Sequence, residues 1–479
     1  MPYLVVTLAV IISRVALGWM GVRFSFAFDW MWLSDQADLR DRLLETLFFT
    51  HSFPPGMNLL TGILLKVDST RVVAMASWVF AALGLVTINS LLYVFRAAGL
   101  STTVAAGLSL AFSLIPQSIY FENLYLYEMP STALLLLSTA LFHNAVKRQS
   151  FRAWFAFFSV CLAIGVTRST FHFIWFCAMA GFGAWVSRPG ARRVLLSALL
   201  PGLLLFGLYA KNYMMFGEFA LDTFGPSNFH LATLRTLPVD VRDAWMAEGA
   251  LSKFASTDVY SPPRAYLPFF GTSENRHWPP QLTRLEQPSS GAPNFNHWYF
   301  LDIHRARRVD VLHFLRRRTR DYVTNIFSAL TDMFSPTTEW HPRSGTAQSP
   351  HDQHHQVLGA YVDTYNLTHR FPIAPVGPYL FLPPVWAWGV WRGCSWLRRN
   401  DADARARGAL MFVCLFQIFY VVAASTMLTF FEESRYRYQI EAMIWVVTAL
   451  CVQTLWQARP SWAGLKRATA AVGLASGGR

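Results

Sequence analysis

Charge is scarce in this chain. Asp, Glu, Lys and Arg make up only 14% of its 479 residues, against roughly 25% in an ordinary soluble domain. A water-exposed globule is therefore excluded. Cysteine is scarcer still: Cys161, Cys177, Cys394, Cys414 and Cys451 all lie in or beside apolar segments. None falls in the long polar stretch, which excludes a disulfide framework and any thiolate metal spacing. There is no Gly-rich phosphate loop and no internal repeat. The first apolar run has no basic segment before it and is too long for a signal-peptide core, so it reads as a retained helix.

A net charge of +13 can mark a nucleic-acid partner. Here the Arg and Lys residues gather in short connections between apolar runs, where they orient a membrane protein, and no nucleic acid is expected. What the chain has in abundance is apolar length. Hydrophobic residues make up 53% of it, and nearly uncharged runs of about 18–22 residues recur, each able to cross a bilayer core of ~30 Å. Ten spans are expected: Val5–Val22, Val72–Phe95, Thr102–Ile119, Pro130–Val146, Trp154–Val166, Thr170–Val186, Val194–Tyr213, Pro372–Trp391, Ala409–Leu428 and Tyr438–Gln457.

The basic residues orient them. With the N-terminus in the cytoplasm, the inner connections and tail hold sixteen basic residues against two acids, Asp401 and Asp403. The first outer loop, 23–71, holds six acids against five bases. The expectation is an all-α polytopic protein of the cell membrane with both termini cytoplasmic. An N-terminal membrane module occupies 1–213, a mixed or irregular outer domain 214–371, a C-terminal membrane module 372–457 and a cytoplasmic tail 458–479.

Two outer stretches are too long to be simple links. Leu33–Thr50 is amphipathic, with Leu39, Leu43, Leu44 and Leu47 on one face, as in a helix lying at the interface. Pro54 and Pro55 end it, and Met57–Lys66 reads as a second short helix. In the large domain the clearest element is an amphipathic helix near Tyr299–Ser335. Its arginines Arg305, Arg307, Arg308, Arg316, Arg317, Arg318 and Arg320 are expected on one solvated or headgroup-contacting face.

Polar residues out of place for a membrane protein collect on the outer side: Asp29, Asp35, Asp38 and His51; Glu122, Tyr127 and Glu128; Thr167, Arg168 and Ser169; Lys211 and Asn212; Glu432, Glu433, Arg435 and Arg437. Ionisable groups at membrane depth are costly unless they face a cavity or each other, which makes them site candidates. His341, His351, His354 and His355 lack paired ligand spacing, so no metal site is expected among them. Arg14, inside the first span, is expected to line the bundle or snorkel. Asn366-Leu-Thr368 is a sequon of a kind common by chance.

The order of four stretches resembles the C-type (GT-C) glycosyltransferases, which include protein O-mannosyltransferases and aminoarabinose transferases. They are the first-loop run Leu33-Ser-Asp-Gln through His51-Ser-Phe-Pro-Pro-Gly-Met-Asn58, then Tyr120-Phe-Glu-Asn-Leu-Tyr-Leu-Tyr-Glu128, Lys211-Asn-Tyr-Met-Met-Phe-Gly217 and Glu433-Ser-Arg-Tyr-Arg-Tyr438. Gln36 follows Asp35 where relatives carry a second acid, and Lys211 stands for the commoner Arg. The resemblance implies an inverting transferase that moves a sugar from a polyprenyl-phosphate donor to a hydroxyl of a glycan, lipid or protein. A first-loop carboxylate, Asp35 or else Asp38 or Asp29, would be the base. His51, Glu122, Tyr127, Glu128, Arg168, Lys211, Arg435 and Arg437 would bind substrate. The phosphate leaves as a stable anion and needs no proton, so one carboxylate base and fixed cations suffice. The resemblance makes no cofactor certain, and a divalent cation at the phosphate is compatible with the pattern. The competing classes are a lipid or solute transporter, which predicts broken helices in two matching halves, and a non-catalytic membrane scaffold.

Overall fold

The structure is a computed structural model, and it describes residues 1–270, 278–334, 381–399, 401–428 and 433–458. The histidines at 341, 351, 354 and 355, the sequon at 366, Glu432 and the tail arginines lie outside the described residues, as does the start of the eighth expected span. The described residues are helical or irregular. Their only β pairings are two isolated bridges, Ser25 with Leu124 and Glu286 with Pro293.

In chain order the first helices are α1 (Pro2–Trp19), the short α2 (Gln36–Asp41), α3 (Leu43–Phe49) and α4 (Gly56–Val67), then α5 (Val72–Ala98), α6 (Thr102–Leu114) and α7 (Pro116–Glu122). The bundle continues with α8 (Glu128–Arg148), α9 (Phe151–Thr167), α10 (Phe173–Val186) and α11 (Ala191–Phe216). The large loop domain holds α12 (Gly225–Leu231), α13 (Val239–Ala247), the single turns α14 (Leu267–Phe270) and α15 (Pro280–Thr283), α16 (Tyr299–Arg317) and α17 (Thr319–Met333). Three helices close the bundle: α18 (Leu382–Leu397), α19 (Ala402–Leu428) and α20 (Glu433–Ala458).

Six helical stretches among the described residues are long and apolar enough to cross a membrane, or seven if the bent pair α6–α7 counts as one span. Helices α9 and α10 are apolar but shorter. Leu4, Leu8 and Ile12 on α1, and Leu195, Leu199 and Leu203 on α11, point outward and exposed. Such faces need an apolar solvent, so the protein is membrane-embedded and multi-pass. Helix α8 is the hub, packed on α5, α9, α19 and α20. Its Ser138 and Thr139 meet Gln417 of α19 at 3.4 and 3.3 Å, the small polar contacts that hold membrane helices together.

The third expected span is not one straight helix. It turns by 62° between Leu114 and Pro116, because Pro116 has no N–H to continue the ladder and its ring excludes a helical residue before it. Ile115 is extended, at φ −62° and ψ 145°. The half-helix α7 is wholly buried and ends on Glu122. There the Arg14 guanidinium closes a two-point pair, donating Nε to Oε1 at 2.9 Å and Nη2 to Oε2 at 2.7 Å, and it also reaches the Ser113 carbonyl at 2.9 Å. Gly84 leaves room for the carboxylate, since a Cβ there would stand 2.7 Å from Glu122 Oε2. We therefore expect Gly84→Ala to lower thermal stability by about 1–3 kcal/mol, the usual range for overpacking. An unchanged melting temperature in detergent would show that the pair can yield.

The amphipathic run of the first loop also differs from one helix. Arg42, at φ −130° and ψ 43°, breaks it into α2 and α3. The break lets Arg42 fold back onto Asp38 at 2.7 Å, and it leaves Leu44 exposed while Leu39 and Leu43 are buried.

Candidate functional site

The helix ends that carry the first loop, Tyr127, the α9–α10 turn and the large loop domain gather at one end of the bundle, and each is placed by a local device. Helix α9 ends at Thr167, and Arg168 turns the chain in extended geometry at φ −144°. The turn of Pro54, Pro55 and Gly56 packs on this corner so closely that a Cβ on Gly56 would lie 2.6 Å from the Val166 carbonyl oxygen. Only glycine fits.

Helix α11 ends at Gly217 in the left-handed region, φ 72°, which glycine adopts without strain. One turn earlier, the Asn212 side chain donates to the carbonyls of Ala220 and Leu221 at 2.7 and 3.0 Å. His51 then holds Thr223 from the other side. Its carbonyl accepts from the Thr223 amide at 2.8 Å, and its Nδ1 meets the Thr223 hydroxyl at 2.9 Å. Nε2 faces the Asn296 carbonyl at 3.1 Å, so Nε2 carries the proton and Nδ1 accepts. Burial, aided by nearby Lys211, pushes the His51 pKa down to about 3. The imidazole is thus a neutral clamp. Between the residues held by Asn212 and by His51 sits Asp222.

Asp222 lies at the centre of a cavity with two adjoining lobes of about 320 Å³ each, within the size range of small-molecule sites. Both lobes are lined by Ser169, Thr170, Asp222, Asn228 and Tyr436. One continues past Trp30, Trp32, Phe224 and Tyr260 to Tyr127, Arg168 and Arg435. The other runs between α16 and the end of α19, past Arg308, Val311, Leu312 and Leu428. The Asp222 carboxylate is approached by the Ser169 hydroxyl and by the amides of Gly225 and Phe224, with His172 nearby. Burial nevertheless raises its pKa above the ordinary carboxylate value, since the charged form loses more in desolvation than these groups return.

The cationic wall is built around Glu128. Arg168 donates to Glu128 Oε1 at 2.8 Å, and its guanidinium lies between the rings of Tyr127 and Tyr436, 4.2 and 4.1 Å from their centroids. With the Gln439 amide turned so that its oxygen faces the guanidinium, that oxygen accepts from Nε at 3.2 Å and Nη1 at 2.6 Å. Arg435 lies 3.5 Å from the same carboxylate and donates to the Tyr127 hydroxyl at 3.0 Å. The two arginines and Tyr127 reach the cavity. Glu128 is fully buried behind them.

The remaining expected site residues stand elsewhere. Asp35 caps α2: Oδ1 accepts from the amides of Ala37 and Asp38 at 3.0 and 3.2 Å and from the Ser289 hydroxyl at 3.0 Å, while Oδ2 accepts from the Ser289 amide at 2.8 Å. Both oxygens are engaged in fastening the first loop to the large domain. Asp38 sits between Arg42 at 2.7 Å and Arg284 at 3.2 Å. These two aspartates share a gap of about 20 Å³, room for one water and for no sugar. Asp29 is exposed. Glu122 belongs to Arg14. Lys211 donates to the carbonyls of Phe48 and Thr50 at 3.0 and 2.8 Å, a cation on the end of α3. Arg437 is buried against Glu441 at 3.2 Å and the Met333 carbonyl at 3.3 Å, bracing α20 on α17. No group of His, Cys, Asp and Glu among the described residues could hold a metal ion.

Asp222 was not singled out in the sequence, where Ala-Leu-Asp-Thr-Phe-Gly has no motif of its own. The signal that could have found it was its position, ten residues beyond Asn212 in the segment entering the loop domain. No protein-family model, curated protein or solved structure matches the chain.

Proposed function

We propose that this protein is a membrane glycosyltransferase that moves a sugar from a polyprenyl-phosphate donor to an acceptor hydroxyl, with Asp222 as the base. The observation that carries the reading is the cavity itself: a half-buried carboxylate in the same pocket as two arginines and a set of aromatic rings, at the end of the bundle that carries the large loop domain. A first-loop base is disfavoured by the full engagement of Asp35 and the two-sided pairing of Asp38. The first loop acts instead through His51 and Gly56, which position the Asp222 segment and the Arg168 corner.

In the proposed step Asp222 takes the acceptor hydroxyl proton as its oxygen attacks the anomeric carbon. The bond from that carbon to the phosphate oxygen breaks on the opposite face, so the centre inverts. The departing lipid phosphate keeps the electron pair as a stable anion beside Arg168 and Arg435. Pre-placed cations of this kind stabilise the charge as it develops, and a general base adds about 10²–10⁴-fold in rate. The aromatic rings offer faces for a sugar ring. Ten spans with both termini in the cytoplasm complete the proposal, and they place the cavity at the outer leaflet.

Purified protein given a radiolabelled polyprenyl-phosphate sugar should release polyprenyl phosphate and label an acceptor from the same membranes. Intact donor after full incubation, in a preparation with native thermal unfolding, would rule out transfer. Reporter fusions at Ala98, Gln149, Gly190 and Asn400 should report cytoplasm, and those at Leu60, Ala250 and Trp340 the outer compartment. An outer signal at Asn400 would overturn the ten-span arrangement.

A further inference from the structure

The arginine-rich stretch of the large loop domain does not form one face. Arg307 is buried, donating to the Ser227 hydroxyl at 2.9 Å and the Thr257 carbonyl at 2.9 Å. Arg305 and Arg308 clasp Glu218 at 2.8 and 2.5 Å. Arg317 approaches Glu248 at 4.0 Å and Arg318 pairs with Asp321 at 3.2 Å. That leaves Arg316 and Arg320, one on each side of the α16–α17 elbow. Both are exposed, and neither has an ion pair among the described residues.

The company they keep is apolar. Arg316 shares the outward face of α16 with Val309, 64% exposed. Arg320 shares that of α17 with Val323 and with Phe327, 63% exposed. Helix α17 also lies at a defined depth. The Tyr322 hydroxyl donates to the Met427 carbonyl at 2.9 Å, and Met333 Sδ meets the Ser425 hydroxyl at 3.7 Å. Eleven residues of α17 span about 16 Å, while the two contact points on α19 differ by only about 3 Å in rise. So both ends of α17 meet the last turn of the membrane-length helix Ala402–Leu428, where that helix reaches the level of the lipid headgroups.

We propose that the α16–α17 elbow is a binding site for anionic phospholipid: Arg316 and Arg320 take the phosphodiester, and Val323 and Phe327 dip into the acyl boundary. A helix at the end of a membrane span, apolar on its outward face and flanked by cations, suits that environment. The site does not depend on the catalytic reading, and a failed transferase assay leaves it standing.

The test uses the full chain in phosphatidylcholine nanodiscs with and without phosphatidylglycerol, with lipid retained on the protein measured by native mass spectrometry. Each arginine near an anionic surface contributes about fivefold in affinity, so Arg316→Gln/Arg320→Gln should weaken retention of phosphatidylglycerol about twenty-five-fold. Its unfolding in phosphatidylcholine alone should match wild type, because both side chains are exposed. Val323→Ser/Phe327→Ser should weaken retention with the charges intact. Wild-type retention in the double glutamine variant would overturn the proposal, and so would equal displacement by inorganic phosphate, which would mark a site for soluble anions.

Discussion

Asp222→Asn should reduce turnover by about 10²–10⁴-fold, the contribution expected of a general base, without loss of fold. The amide keeps the size of the carboxylate and an acceptor for the amides of Phe224 and Gly225. The sign of the stability effect follows from the raised pKa. A carboxyl whose folded pKa exceeds its unfolded value is held most favourably when protonated, and that contribution fades as pH rises through the unfolded and then the folded pKa. At neutral pH the native carboxylate is therefore a burden on stability, and the neutral amide should unfold at the same temperature or higher. The same shift places the acid limb of kcat/KM above the ordinary carboxylate range. Asp35→Asn should behave in the opposite way. It keeps a cap oxygen for α2 but sets an NH2 against the Ser289 amide that Oδ2 accepts, so the melting temperature should fall while the molecules that fold turn over normally. Measuring kcat and melting temperature for both variants separates the two carboxylates. If Asp222→Asn stays within about threefold of wild type while Asp35→Asn is inert and stable, the base returns to the first loop.

Arg168→Ala is expected to have the larger effect on stability. Glu128 is fully buried, and Arg168 is its close partner at 2.8 Å, with Arg435 farther away at 3.5 Å. Removing the near cation strands a buried carboxylate, a loss of about 3–5 kcal/mol in comparable cases. It also empties the slot between Tyr127 and Tyr436. Most of the protein should then fail to reach the membrane folded. Adding Glu128→Gln removes the stranded charge, so the double variant should recover much of the melting temperature but not the use of the lipid donor. Lysine is no substitute, since it cannot lie as a plate between two rings while serving both Glu128 and Gln439. A single alanine variant with wild-type unfolding would show that the Glu128 carboxyl is compensated in some other way.

Much of the framework was legible in the chain because apolar length and flanking charge are local properties. The apolar runs that announce helices need no partner to be recognised, and the conspicuous Pro54-Pro55-Gly56 and Lys211-Asn212 both prove to be points where distant segments are fastened. The role of each charged residue was not legible in the same way. Asp35 and Asp222 differ little as letters. One precedes a helix and caps it, and the other lies in a loop held from two sides by Asn212 and His51. Glu122 and Glu128 stood together on one short outer stretch, yet they went to different arginines, Arg14 and Arg168, from helices far apart in sequence. The seven arginines from Arg305 to Arg320 were likewise alike until packing buried one, paired four and left two without an ion pair among the described residues. Sequence by itself determined the helices and the cationic and acidic inventory, since burial of apolar surface and backbone hydrogen bonding act within each segment. Tertiary structure alone decided which carboxylate stayed at an open cavity. A charge buried in a membrane protein is set by the partner that reaches it, and that partner comes from elsewhere in the fold.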